Sequence, residues 1–250
     1  MTNPREAKNQ VFQSEPYDGS TGIKRMSVAD KLAELGIKTI PVDTVKLPSE
    51  GRIYSKESGL FGLTEIEIKA MTTQEEDILT SRAYAKKGTT VLELVKSCVV
   101  DKSINVENLV AGDRNALMIA IRITGYGPTI LTNYTCPACE KVNENVEFNL
   151  GNLKIKPIGS APVVEGSNEF SCKLPVTGAT VTFKLLTSKE EEEVISQHER
   201  KKKLLNLQHD TLITDQLKAA ILSVNGHQDR TKLSFLVDNL PALDSKHFRE

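Results

Sequence analysis

Apolar and polar residues alternate with period two in a few short stretches, and follow a helical period in most of the others. In "TEIEIKAM", Ile66 and Ile68 alternate with Glu65, Glu67 and Lys69, the pattern of a half-buried strand. At Thr72 the period changes. Thr72 and Glu75 have the spacing of a capping box, and "TTQEEDILTSRAYAKKG" predicts one helix running to Gly88. A second box, Thr90 to Glu93, opens "TVLELVKSCVV", and "NVENLVAGDRNALMIAIRITGYG" predicts a short helix and a longer one ending at Gly125. Upstream, "SVADKLAELGI" reads as a short helix, with Ser27 as N-cap, Val28, Leu32 and Leu35 on one face and Gly36 as the stop. Residues 1–26 are polar, with no sustained period, and are expected to form a flexible arm.

The strand-and-box pattern occurs twice. "EIEIKAMTTQEED" (65–77) and "TVTFKLLTSKEEE" (180–192) superpose without a gap, and each lies downstream of a Leu-Pro, at 47–48 and at 174–175. Two explanations stand open: a duplicated strand-to-helix unit, or generic strands and caps with the carboxylates that helix N-termini favour. Around the second copy, "FSCKLPVTGATVTFKLL" predicts a hairpin turning near Gly178, followed by the polar helix "SKEEEEVISQHERKKKLLNL". "DTLITDQLKAAILSVNG" predicts a further amphipathic helix capped by Asp210 and stopped by Gly226, and the tail adds helix interrupted at Pro241. The expected fold class is α+β, mainly helical with short antiparallel β-hairpins. The expected organisation is an arm over 1–26, a first module over 27–128, a hairpin over 129–158, and a second hairpin-plus-helices module over 159–250.

A formal net charge of -1 supplies no excess that would draw the chain to nucleic acid or an anionic membrane. The most apolar run, "ALMIAIRI", carries Arg122 and is too short to span a bilayer. The chain contains no phosphate-cradling GxxxxGK[ST] or GxGxxG, and no HExxH or GxSxG. From Ala116 to Ile123 the helix is apolar nearly all round, which predicts burial on most sides. Beside it stand Gly112, Asp113 and Arg114, with Arg122 two turns on. A buried arginine requires a carboxylate or a ring of carbonyls. Asp113 is expected to cap the helix and, with Arg114, to fix a buried turn; the alternative is that the arginines snorkel to the surface.

"YTCPACEK" places Cys136 and Cys139 in C-x-x-C spacing between two strand-like segments, the setting of a zinc knuckle. A closed zinc site needs four ligands, and the chain has one such knuckle. Cys98 and Cys172 are weak candidates for the remainder, since both fit core positions. Ligands from another subunit, or a knuckle without metal, remain alternatives. A thioredoxin-like role is set aside, because the segment after the pair is strand-like rather than helical.

In order, "KLPSEGRIY", "IKAMTTQEEDIL", "VAGDRNALMIAIRITGYGP", "CPAC", "LPVTGATVTFKLLT" and "NLPALDSKHFR" resemble the T4-type bacteriophage baseplate protein family, from about residue 45 onward. Gly112-Asp113-Arg114 matches the family's most characteristic short motif. The resemblance implies a non-enzymatic late protein of a contractile-tailed phage, working in the host cytoplasm during assembly or in the virion tail baseplate. It would act in building the baseplate central hub, as a hub subunit or an assembly chaperone, through contacts with other hub or tail proteins. No catalytic residue and no small-molecule substrate is carried over, and a homo-oligomer and a structural zinc stay open. Two readings compete: a zinc-ribbon-type nucleic-acid-binding module, against which the neutral charge counts, and a hydrolase with unmarked catalytic residues.

Overall fold

The computed structural model describes residues 28–36, 40–159, 162–206 and 210–249. The arm expected over 1–26 and the Ser27 cap lie outside the described residues. Contacts divide the chain into two units, 1–40 and 41–250. In the first, helix α1 (Val28–Glu34) ends in a turn where Gly36 takes φ 69°. Leu35, expected on the apolar face, falls just past the helix and is exposed.

In the second unit, β1 (Val42–Lys46) and β2 (Glu65–Lys69) pair antiparallel with Val45 opposite Ile66, and the alternation buries Val45, Ile66 and Ile68. Helices α2 (Thr73–Thr80), α3 (Arg82–Lys87), α4 (Thr90–Cys98) and α5 (Ala111–Tyr126) come next, with a 3-10 turn at Val106–Asn108 before α5. β3 (Thr129–Thr135) and β4 (Val142–Asn149) make a second two-stranded sheet. The third sheet runs β5 (Phe170–Lys173), β6 (Thr180–Phe183), β7 (Ile221–Val224), all antiparallel. Helices α6 (Ser188–Leu205) and α7 (Leu212–Ala220) span the β6–β7 connection, and α8 (Arg230–Asp238) and α9 (Ala242–Arg249) come after β7. The fold is α+β, with helix the commonest regular element and short antiparallel sheets.

Two apolar clusters hold it. One gathers Ile53, Leu60, Ile68, Val95, Leu117 and Ile121; the other gathers Leu174, Val181, Leu217, Ile221, Leu233 and Val237. Each side chain buried in this way contributes about 1.5–3 kcal/mol. Phe183 touches both clusters, stacking on Phe170 at 5.7 Å and meeting Phe248 edge-on at 4.8 Å.

Four local expectations need correction. The helix from Thr73 breaks at Ser81, an extended residue of a type that suits caps better than helix interiors, which ends α2 and stands at the N-cap of α3. No box forms at Thr90, which is itself the first helical residue; Thr89 occupies the cap position. The segment after Asp210 is helical only to Ala220. Ile221–Val224 is the strand β7, since β6 offers it an open edge and its run of apolar residues fits a buried strand. Along "ALMIAIRI" only Leu117 and Ile121 are fully buried, and the other residues of that run are half-buried.

The repeated sequence adopts one arrangement twice. Lys46 faces Glu65 and Lys173 faces Thr180, so Leu47-Pro48 and Leu174-Pro175 leave their strands at the same register. The Leu47 N–H donates to Thr64 at 2.8 Å, and that of Leu174 to Ala179 at 2.9 Å. Lys69 pairs with Glu75, and Lys184 with Glu190. Both glutamates return to the N–H of their capping threonine, Thr72 at 2.9 Å and Thr187 at 3.0 Å. After the helices, Val99 comes back beside Ile68 as Ile221 does beside Phe183. Sharing the register, the ion pair, the box and a chain that returns beside the strand, as one bridge in the first copy and as β7 in the second, exceeds what generic capping explains, so the unit occurs twice.

Candidate functional site

Asp113, three residues into α5, is fully buried and points back to the turn after β1. Its carboxylate accepts the Ser49 N–H at 2.9 Å, the Ser49 hydroxyl at 2.5 Å and the Tyr54 hydroxyl at 2.5 Å. Tyr54 in turn accepts the Val110 N–H at 3.1 Å. Burial first, then the Asp113 charge, pushes the Tyr54 phenol well above its ordinary range, so it stays a donor. Asp113 therefore ties the turn at 49–54 to the start of α5. It does not cap its own helix; Val110 holds the cap position, without a side-chain bond.

Its neighbours play different parts. Gly112 is exposed on the first turn. Arg114 leaves the turn alone and reaches Glu191 of α6 at 2.8 Å, linking the first copy of the repeated unit to the second. Arg122 takes the other solution open to a partly buried guanidinium: it donates to the carbonyls of Gly127 at 2.8 Å and Thr129 at 3.3 Å, with Tyr126 beneath it at 5.0 Å. That clamp fixes the root of the β3–β4 hairpin to the end of α5.

Asp244 carried no candidate role on sequence grounds. It sits three residues into α9, fully buried, and accepts the N–H groups of Val176 at 2.7 Å and Thr177 at 3.0 Å. Burial opposes its ionisation, but these N–H bonds outweigh it and hold the carboxyl below its ordinary range. Val176 comes after Leu174-Pro175 as Ser49 comes after Leu47-Pro48, so Asp244 is the counterpart of Asp113. A signal was present: "NLVAGD" (108–113) and "NLPALD" (239–244) share Asn-Leu, Ala and Asp at equal spacing.

A cleft of about 310 Å³ opens between the two copies, lined by Val110, Leu186, Ile213, Leu217 and Phe248. The carboxylates that reach it, Asp113 and Glu191, are held by Ser49 and Tyr54 and by Arg114. This chemistry serves cohesion between elements.

At the far end of the β3–β4 hairpin stand Cys136 and Cys139. The Cys136 N–H donates to Lys141 at 2.9 Å and its carbonyl accepts the Glu140 N–H at 2.8 Å, with Glu140 in the left-handed region at φ 56°. The N–H groups of Ala138 and Cys139, then the Cys139 thiol, point at the Cys136 sulfur and lower its pKa. Cys98 lies wholly inside the first core, its thiol pushed up to about 11 by burial and by the Glu75 charge. Cys172 is half-buried against the second core, and burial raises it too. Neither joins the hairpin pair, and among the described residues no three His, Cys, Asp or Glu side chains gather as a metal site. Among them also, no helix is long and apolar enough to cross a membrane.

The geometry defines an α+β protein with a duplicated strand-to-helix unit and a projecting two-cysteine hairpin. A family model described as T4 bacteriophage base plate protein matches residues 40–168, just over half of the chain, and the chain belongs to that family. Comparison with curated proteins and with solved structures gave no match. The matched range ends just before β5, so it takes in the first copy of the unit and stops short of the second.

Proposed function

We propose that this baseplate-family protein works in the assembly of the baseplate central hub, as a hub subunit or as an assembly chaperone, through protein–protein contacts and without catalysis. The observation that carries the reading is where its polar and apolar groups point. The buried carboxylates Glu75, Asp113 and Asp244 face inward and tie elements together. Large apolar side chains face outward: Leu131, Tyr134, Val142 and Phe148 on the projecting hairpin, and Phe235 on α8, whose Leu233 and Val237 pack in the second core. Exposed aromatic and aliphatic groups on stiff elements suit docking to protein surfaces. The partners on this reading are other tail proteins, met in the host cytoplasm during assembly, with the virion tail baseplate as the destination of a hub subunit.

The test is quantitative mass spectrometry of purified particles beside infected-cell lysate. A few copies per particle, in a ratio fitting the hub's symmetry, support a hub subunit. Abundance in lysate with none in particles supports the chaperone. Absence from both overturns the reading.

A further inference from the structure

We propose that the Cys136–Cys139 tip is half of a tetrathiolate zinc site, completed by the same hairpin of a second copy of this chain. The tip has the shape that such a site requires. Its turn is closed by the Cys136–Lys141 and Cys136–Glu140 bonds, both sulfurs lie on one short turn, and both cysteines are free.

Among the described residues, one chain supplies two ligands there. The seven-residue β3 carries the tip about 20 Å from its root. Cys98 is sealed inside the core and Cys172 lies on the β5–β6–β7 sheet, so neither reaches the tip without unfolding its element. A closed structural zinc takes four ligands in a tetrahedron. The missing pair must be two more thiolates, or equivalents, on an equally exposed support.

A second copy meets that need through a two-fold axis at the metal, which makes both knuckles equivalent and closes the assembly at two chains. The surface around the tip is suited to self-pairing. Glu140 and Lys141 are adjacent and opposite in charge, so each can pair with its complement on the other copy. Tyr134, 48% exposed, and Val142, 51% exposed, flank the turn and gain cover when two tips meet. Binding releases the thiol protons to solvent, up to four per zinc, and leaves no cysteine oxidised.

The experiment uses the full chain, reduced, stripped with EDTA and titrated with zinc sulfate, and read by native mass spectrometry with metal analysis. The expected result is one zinc per two chains in a species of twice the 27.6 kDa chain mass. An all-sulfur shell at about 2.3 Å should appear in X-ray absorption. Cys136→Ser and Cys139→Ser should stay monomeric and zinc-free with the melting curve of the metal-free wild type, because both positions lie outside the cores. Cys172→Ser should dimerise with zinc as the wild type does. One zinc per monomer, a dimer that survives EDTA, or no zinc bound would each overturn the proposal. None of these outcomes depends on whether the chain is a hub subunit or a chaperone.

Discussion

Removing the Asp113 carboxylate tests the bracing of the 49–54 turn directly. Asp113 is fully buried, and Ser49 and Tyr54 are nearly so. In Asp113→Ala the Ser49 N–H, now 2.9 Å from its acceptor, loses it in a dry environment. An unpaired buried donor costs about 1–3 kcal/mol. The Ser49 and Tyr54 hydroxyls each lose a bond to a charge, worth about 1.5–3 kcal/mol, although both can turn toward water entering the vacated space. With that partial recovery the loss should be about 3–5 kcal/mol, as for one partner taken from a buried charged network. Against a typical total of about 5–15 kcal/mol this is a large share. Urea unfolding followed by far-UV circular dichroism measures it, since the chain has no tryptophan to report by fluorescence. Tyr54→Phe should cost less, about 1–2 kcal/mol, and the double mutant should lose less than the sum, because both changes break the same bonds. A loss below about 1 kcal/mol for Asp113→Ala, or full additivity with Tyr54→Phe, would refute the bracing argument.

Two further expectations concern the same unit. Burial opposes ionisation of Glu75, but bonds from Lys69, Ser97 and Thr72 outweigh it and lower its pKa from an ordinary 4.5 to about 2. Its stabilising effect is therefore complete above the ordinary carboxylate range and is lost as pH falls toward about 2. Melting temperatures from pH 6 to pH 2 should fall less steeply for Glu75→Gln than for the wild type, and equal slopes would count against the effect. Gly51 and Gly178 hold φ 71° and 66°, but a Cβ at Gly51 would lie 2.4 Å from the Leu63 nitrogen, whereas Gly178 has open space. Gly178→Ala should cost only backbone strain, about 1–2 kcal/mol, and Gly51→Ala distinctly more; equal melting losses would contradict the packing at Gly51.

Local periodicity determined most of the elements. The β2 alternation, the boxes at Thr72 and Thr187, the turn at Gly178 and the hairpin carrying Cys136 and Cys139 were legible, because each depends on neighbours within a few residues. Asp113 was legible as a buried anchor, but not its partners. Ser49 and Tyr54 lie 64 and 59 residues earlier, and nothing local marks which donors a buried carboxylate will meet. Asp244 was missed for the same reason, since its turn lies 68 residues upstream, although the repeated Asn-Leu-x-Ala-x-Asp carried the hint. The run Ile221–Val224 read as helix because a short apolar segment suits a buried helix or a buried strand equally. Only the tertiary structure decided it: β6 had an open edge, and pairing satisfied backbone groups that the end of α7 left without helical partners.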